Sequence, residues 1–255
     1  MDRRAIPLGF RKGISLRQVA PNAVTAAALC FGLTGIRFAI AGEWEKAVAC
    51  IILAGVLDGL DGRIARLLRG ESRFGAELDS LSDSIAFGVS PALLLYLWSL
   101  QTMPKFGWLF ALAHALMCAL RLARFNAQID AEDQPRKSAG FMTGVPAPMG
   151  AGLTMLPIYL WLVSGEEWFR SWYVVAPWTA FIAFLMISSI ATFSWSALRL
   201  RKRIRLEAIA GVGLLAAALV TAPWHTLIAL CVFYLLLLPF GIVGYAKARR
   251  QRAAE

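Results

Sequence analysis

The residues best placed to do chemistry lie between Leu57 and Asp83. Asp58 and Asp61 are three apart, and Gly62 and Ala65 follow on the same side of a helix. One face therefore offers two carboxylates beside two positions with almost no side chain. Gly75, Asp79 and Asp83 recur at intervals of four and build a second face of the same kind. A short turn around Arg69 to Phe74 predicts that the two helices are antiparallel neighbours, with all four carboxylates at one end. Like charges brought together repel, so something cationic must offset them. Oxygen ligands without His or Cys favour Mg²⁺, Mn²⁺ or Ca²⁺ over zinc. Four carboxylates suffice for a two-metal site, whose best-suited chemistry is displacement at phosphorus. The competing reading is a structural ion-pair network with Arg63, Arg66 and Arg73.

The elements that must carry these side chains are set by composition. A chain of 255 residues that is 58% apolar, with a clearly positive mean hydropathy, lies outside the usual soluble range. Its net charge of +10 is spread in short basic clusters between apolar runs, which points to membrane topology and to no nucleic-acid partner. Cys30, Cys50, Cys118 and Cys231 all fall in apolar stretches without zinc-type spacing, and read as small hydrophobic residues. His114 and His225 are isolated in apolar surroundings, where a metal role is not expected. Asp130, Glu132 and Asp133 read as a solvated turn. The basic first twenty residues lack the compact apolar core of a cleavable signal peptide, so the N-terminus is expected to stay in the cytoplasm.

A helix needs about 20 mainly apolar residues to cross a bilayer. Ser84 to Pro104, Phe141 to Gly165 and Ser171 to Leu198 meet that length, and Ala208 to Ala246, interrupted near Ala222-Pro223, predicts a helical hairpin. Asn22 to Ala41, Glu43 to about Arg69 and Phe106 to about Gln128 add three spans with more charge. The expected fold is an all-α polytopic membrane bundle of about eight transmembrane helices, preceded by an interfacial amphipathic helix over Ile6 to Ala20. With that count and the N-terminus inside, only Arg37, Lys46, Lys105 and Arg170 of the 26 lysines and arginines fall on the far side, as the positive-inside rule requires. The division expected is an N-terminal interfacial segment (1–21), a six-helix catalytic core (22–198) and a C-terminal transmembrane hairpin with a basic tail (199–255).

Written out, Asp58 to Asp83 is D-x-x-D-G-x-x-A-R-x₈-G-x-x-x-D-x-x-x-D. This resembles the signature of the CDP-alcohol phosphatidyltransferases, matched at Asp58, Asp61, Gly62, Ala65, Arg66, Gly75, Asp79 and Asp83. The resemblance implies that Asp58, Asp61 and Asp79 bind a divalent metal, Mg²⁺ or Mn²⁺, with Asp83 completing the acidic set as general base. It further implies that Gly62, Ala65, Arg66 and Gly75 hold the CDP group, and that the protein is a homodimer. Such an enzyme works at the bacterial inner membrane with its site facing the cytoplasm.

Three further stretches resemble the bacterial membrane-integral phosphatidylserine synthases: Pro21-Asn22-x-x-Thr25, Arg121-Leu122-Ala123-Arg124-Phe125-Asn126 and Phe141-Met142-Thr143-Gly144-Val145-Pro146-Ala147-Pro148. They imply CDP-diacylglycerol and L-serine as substrates within a lipid membrane, with Asn22 and Thr25 among the contacts. Where the family pattern often has a second Asn, this chain has Ala28. Arg121 and Arg124 share a helix face and offer a paired guanidinium site for a carboxylate or phosphate. Several bland readings stay open here. The arginines can serve as a positive-inside anchor, Asn22 and Thr25 as a cap and a helix-helix hydrogen bond, and Pro146 and Pro148 merely as the opening of the fifth span. Acceptors such as glycerol phosphate, inositol phosphate or choline, and a cation-coupled transporter with acids in its helices, are the competing functions.

Overall fold

The computed structural model describes residues 16–129, 141–188, 190–193 and 205–252. Its helices follow the expected spans in order. α1 is Leu16–Ile40, α2 Trp44–Leu68, α3 Arg73–Asp83, α4 Ser90–Trp98 and α5 Gly107–Ile129; α6 is Ala147–Thr154, α7 Leu156–Ser164, α8 Trp172–Ile187, α9 Arg205–Thr221 and α10 Pro223–Arg252. A two-stranded antiparallel ladder, β1 (Phe141–Thr143) with β2 (Ala191–Phe193), is the one departure from an all-α bundle among the described residues. The ladder takes the first residues of the expected fifth span and cuts the sixth short at Ile187.

Among the described residues five segments are long and apolar enough to cross a membrane: Val19–Ile40, Arg73–Trp98, Gly107–Ala127, Ala147–Ser164 and Pro223–Gly241. α2 is 25 residues long but carries the acids and arginines of the motif, while α8 and Ala210–Thr221 are shorter apolar helices. The chain is thus a multi-pass membrane protein, in which five of the expected spans meet the length and hydropathy requirement on their own among the described residues. α1 begins at Leu16 and runs straight into its span, whereas the rest of the expected interfacial helix, like Asp130, Glu132 and Asp133, lies outside the described residues.

α3 and α4 form one continuous span through a π-helical turn, Ser84–Val89, directly after Asp83. Tight packing surrounds this turn. A Cβ on Gly32 of α1 would meet Ala86 at 2.9 Å, and the Ser90 hydroxyl lies 2.9 Å from both the Gly32 and Ile85 carbonyls. His114 of α5 sits fully buried against the same turn. Its Nε2 is 3.2 Å from the Phe87 carbonyl and its Nδ1 is 3.2 Å from the Thr154 hydroxyl. A carbonyl only accepts, so Nε2 carries the proton and Nδ1 accepts from Thr154. His114 therefore ties α5 to the π turn and α6.

One end of the bundle is clasped by Arg170, between α7 and α8. Its Nε donates to the Trp98 carbonyl at 2.9 Å, and its guanidinium lies 5.9 Å from the ring centres of both Trp44 and Trp161. The ends of α2, α4 and α7 thereby converge on one cation. Arg37, Lys46 and Lys105 border the same ends of the chain's helices, the side expected to face away from the cytoplasm. Loss of one hydrogen bond and two cation–π contacts costs about 2 kcal/mol. Arg170→Ala is expected to lower the thermal midpoint by about 4–8 °C, leaving specific activity of the folded protein unchanged. Thermal unfolding of the detergent-solubilised variant measures the first, and an unchanged midpoint would remove the clasp from the account.

Candidate metal centre and active site

The end opposite Arg170 holds the acidic residues. Carboxylate oxygens of Asp58, Asp61 and Asp79 all lie within 4.8 Å of one another. Hard divalent ions take oxygen at about 2.0–2.6 Å, so ligands across one ion stand about 4–5 Å apart. The triad therefore has the spread and the donor chemistry of a single divalent site. Asp83, one turn further along, places its carboxyl in hydrogen-bond contact with that of Asp58. Among the described residues none of the four is ion-paired to Arg63, Arg66 or Arg73; the ion pair of Lys46 with Glu43 lies at the other end. An internal arginine network thus gives no account of the cluster.

The two acidic helices are not the packed neighbours that the short turn predicted. α1 packs along α2 and also against α3, whereas α2 and α3 make little direct contact. The reversal itself is tight: Arg69 takes a left-handed conformation (φ 52°), the Gly70 N–H donates to the Ala65 carbonyl at 2.9 Å, and Ser72 caps α3 by accepting from the Gly75 N–H at 3.0 Å. The carboxylates consequently face one another across a cleft floored by α1.

α1 supplies the cleft's polar contacts. The Thr25 hydroxyl lies 2.6 Å from Asp61 Oδ2 and 3.1 Å from the Pro21 carbonyl. Both are acceptors and the hydroxyl has one proton, which the shorter, charged partner takes. Asp61 is 6% exposed, so this bond fixes the orientation of a buried ligand. Ser82 of α3 donates to the Thr25 carbonyl at 3.2 Å, so one residue of α1 is bound to both acidic helices. Asn22 sits against Gly75, where a Cβ would meet its Oδ1 at 2.8 Å. Gly75 is thus held small by Asn22. Thr25 orients Asp61 through its hydrogen bond.

Three of the residues implied for CDP, Gly62, Ala65 and Arg66, lie on α2. Among the described residues no neighbouring atom lies within 4 Å of a Cβ built on Gly59 or Gly62. Arg66 is exposed and spends its Nε–H on the Gly62 carbonyl at 3.0 Å. Ala65 is half-buried.

The arginines expected to act as a pair are used differently. Arg124 donates from Nη1 to the Ile187 carbonyl at 3.0 Å and from Nη2 to the Ser188 carbonyl at 3.3 Å, capping the orphan carbonyls that end α8. Arg121 is 8% exposed, and its Nε has no hydrogen-bond partner. The charged groups that act on it are the Asp83 carboxylate and the Arg124 guanidinium. Asn126, quoted in the same motif without a role, donates to Ser80 Oγ at 2.8 Å and ties α5 to α3 between Asp79 and Asp83. Ser82 and Ser80 carried no sequence signal, because a serine beside an acidic motif looks like any other helical serine.

Second-layer hydrogen bonds to metal ligands are worth about 10–100-fold in metal affinity. Thr25→Val, which keeps the shape and loses the donor, is expected to raise the Mn²⁺ concentration for half-maximal binding at least tenfold, with Thr25→Ser close to the parent. Titration by isothermal calorimetry measures it; equal affinities for all three proteins would show that Thr25 does not orient Asp61.

Comparison with known proteins agrees with this geometry. The family model described as CDP-alcohol phosphatidyltransferase matches residues 18–187, and a second, CDP-alcohol phosphatidyltransferase 2, matches residues 203–239. The chain is 38% identical over 232 residues to a CDP-diacylglycerol-serine O-phosphatidyltransferase of Mycobacterium tuberculosis, covering 91% of this chain and 80% of the relative. A Mycobacterium leprae protein of the same name is 38% identical over 91% of this chain and 77% of its own length. A Helicobacter pylori protein of that name is 36% identical over 55% of this chain and 57% of its own. A model match across the acidic helices, α1 and α5 together, and relatives that cover most of both chains, lead to one conclusion: the chain belongs to the CDP-alcohol phosphatidyltransferase family.

Proposed function

We propose that this protein transfers the phosphatidyl group of CDP-diacylglycerol to L-serine, releasing CMP and phosphatidylserine. The observation that carries the reading is the convergence of the Asp58, Asp61 and Asp79 oxygens within 4.8 Å, with Asp83 beside them. The names of the mycobacterial and Helicobacter relatives support serine as acceptor. The acceptor's oxygen attacks the phosphorus carrying the diacylglycerol while the bond from that phosphorus to the CMP oxygen breaks. Asp83 takes the hydroxyl proton, so charge and atoms balance without a covalent enzyme intermediate. Bound at the aspartates, Mg²⁺ or Mn²⁺, as two ions in this reading, would neutralise the diphosphate and the departing CMP. Gly59 and Gly62 give the headgroup room beside Asp58 and Asp61, and Arg66 closes the mouth of the cleft with positive charge. Arg121 takes the serine carboxylate, and Arg124 holds the end of α8 behind it.

We place the active site at the cytoplasmic face of the bacterial inner membrane. Support comes from the basic turn Arg63, Arg66, Arg69 and Arg73 at the acidic end, against the sparse Arg37, Lys46, Lys105 and Arg170 at the other. The eight-pass count, the division into a six-helix core with a C-terminal hairpin, and a homodimer belong to the same reading, the last through family resemblance alone.

Purified protein given CDP-diacylglycerol, Mn²⁺ or Mg²⁺ and labelled L-serine is expected to release CMP and phosphatidylserine in equal amounts, and to stop when the metal is chelated. Asp83→Asn is expected to lose activity by about 10²-fold or more, the scale of a missing general base. A folded variant with near-normal turnover would show that the base lies elsewhere. Product from glycerol phosphate, inositol phosphate or choline in place of serine would change the acceptor and leave the chemistry standing.

A further inference from the structure

Asp83 is the last residue of α3, and the π turn that follows it, Ser84–Val89, has a cause in the sequence. In an α-helix the Phe87 carbonyl would accept from the N–H four residues on, but that residue is Pro91, which has none. The chain widens instead. The Ser90 N–H bonds the Ile85 carbonyl, five residues back, and the Ser90 hydroxyl lies 2.9 Å from the same carbonyl. Widening of this kind inserts one residue, and each residue of an α-helix turns by about 100°. Asp83 and Leu94 are eleven apart, so an unbroken α-helix would put them on nearly the same face. Leu94 is fully buried in the core. The extra residue offsets Asp83 from that apolar face by about 100°, and its carboxyl meets that of Asp58.

The turn leaves the Phe87 carbonyl to find its donor on another helix. His114 Nε2 of α5 lies 3.2 Å from it, and the Thr154 hydroxyl of α6, 3.2 Å from Nδ1, supplies the proton that keeps Nε2 the donor. Phe87, His114 and Thr154 are all buried, so no water competes for these bonds. α5 also lies directly against the turn, since a Cβ added to Gly88 would meet Cys118 Cβ at 3.1 Å. We infer that His114 is a positioning residue for Asp83. By donating to the Phe87 carbonyl it holds the turn that sets the direction of the carboxyl, and Thr154 fixes the tautomer that makes the donation. This rests on the role of Asp83 as base proposed above.

The test uses the full chain in lipid nanodiscs, with steady-state kinetics for CDP-diacylglycerol and serine and calorimetric titration of Mn²⁺. Displacing a reacting group by about 1 Å costs up to about 10²-fold in rate. His114→Leu is expected to lower kcat about tenfold, with both KM values and the Mn²⁺ affinity within about twofold of the parent. His114→Gln, whose amide N–H takes the place of Nε2–H, is expected to bring kcat back to within about threefold. Added to Asp83→Asn, His114→Leu is expected to change the residual rate by less than about twofold, because the carboxylate it aims is gone. Thr154→Val keeps the volume and the histidine, and decides the question if His114→Leu does not fold; its kcat is expected to fall about threefold or more with both KM values unchanged. A deciding variant with kcat within twofold of the parent, a glutamine no better than leucine, the full tenfold loss on top of Asp83→Asn, or KM and Mn²⁺ affinity moving with kcat would each overturn the inference. A parent protein that releases no CMP with any acceptor would overturn the underlying functional reading, and that is seen without any variant.

Discussion

Mutual repulsion of carboxylates held together where water is scarce is the constraint that shapes this molecule. Two unit charges 4.8 Å apart repel by roughly 3–4 kcal/mol at an effective dielectric of about 20. The three pairs of the triad sum to on the order of 10 kcal/mol, comparable to the whole folding stability of an ordinary domain. Hydrogen bonds from Thr25 and small structural adjustments are worth far less. Divalent cations are the counterweight of the right size, so the site is built to be loaded.

Everything near the cleft follows from keeping those side chains aimed inward. α1 lies between the two acidic helices as a common support: Thr25 bonds Asp61, its carbonyl accepts from Ser82, and Asn22 abuts Gly75. The π-helical turn after Asp83 packs against Gly32 and His114, so the ligand-bearing stretch of α3 is backed by close contacts while its other face stays open. Rigidity elsewhere is supplied far from the site. Trp44, Trp98 and Trp161 gather on Arg170 at the opposite end, where no charge is needed for chemistry. A stable end and an electrostatically strained end suit a protein that must open its cleft to a lipid headgroup.

Much of this was legible in the sequence because helical spacing is local information. Asp58 with Asp61, and Asp79 with Asp83, fall on common faces by arithmetic alone, and the break at Ala222-Pro223 marks the turn between α9 and α10. What was not legible depends on partners distant in the chain. The ladder pairs Phe141 with Phe193, and nothing in either three-residue stretch announces the other. The π turn leaves no periodic trace in a uniformly apolar run. α2 and α3 were expected to pack together because their connection is short, yet a short turn fixes where two helices meet and not whether a third lies between them. Arg121 and Arg124 look equivalent three residues apart, but only the position of the α8 terminus determines that Arg124 caps carbonyls while the Arg121 Nε finds no acceptor among the described residues.

The central claim concerns where a cation sits. A crystal of the full chain grown with Mn²⁺ and measured at the manganese absorption edge tests it most directly. An anomalous peak bounded by Asp58, Asp61 and Asp79 oxygens at about 2.2 Å is the expected result. Aspartates turned toward Arg63, Arg66 or Arg73, with no anomalous density between them at saturating Mn²⁺, would contradict it.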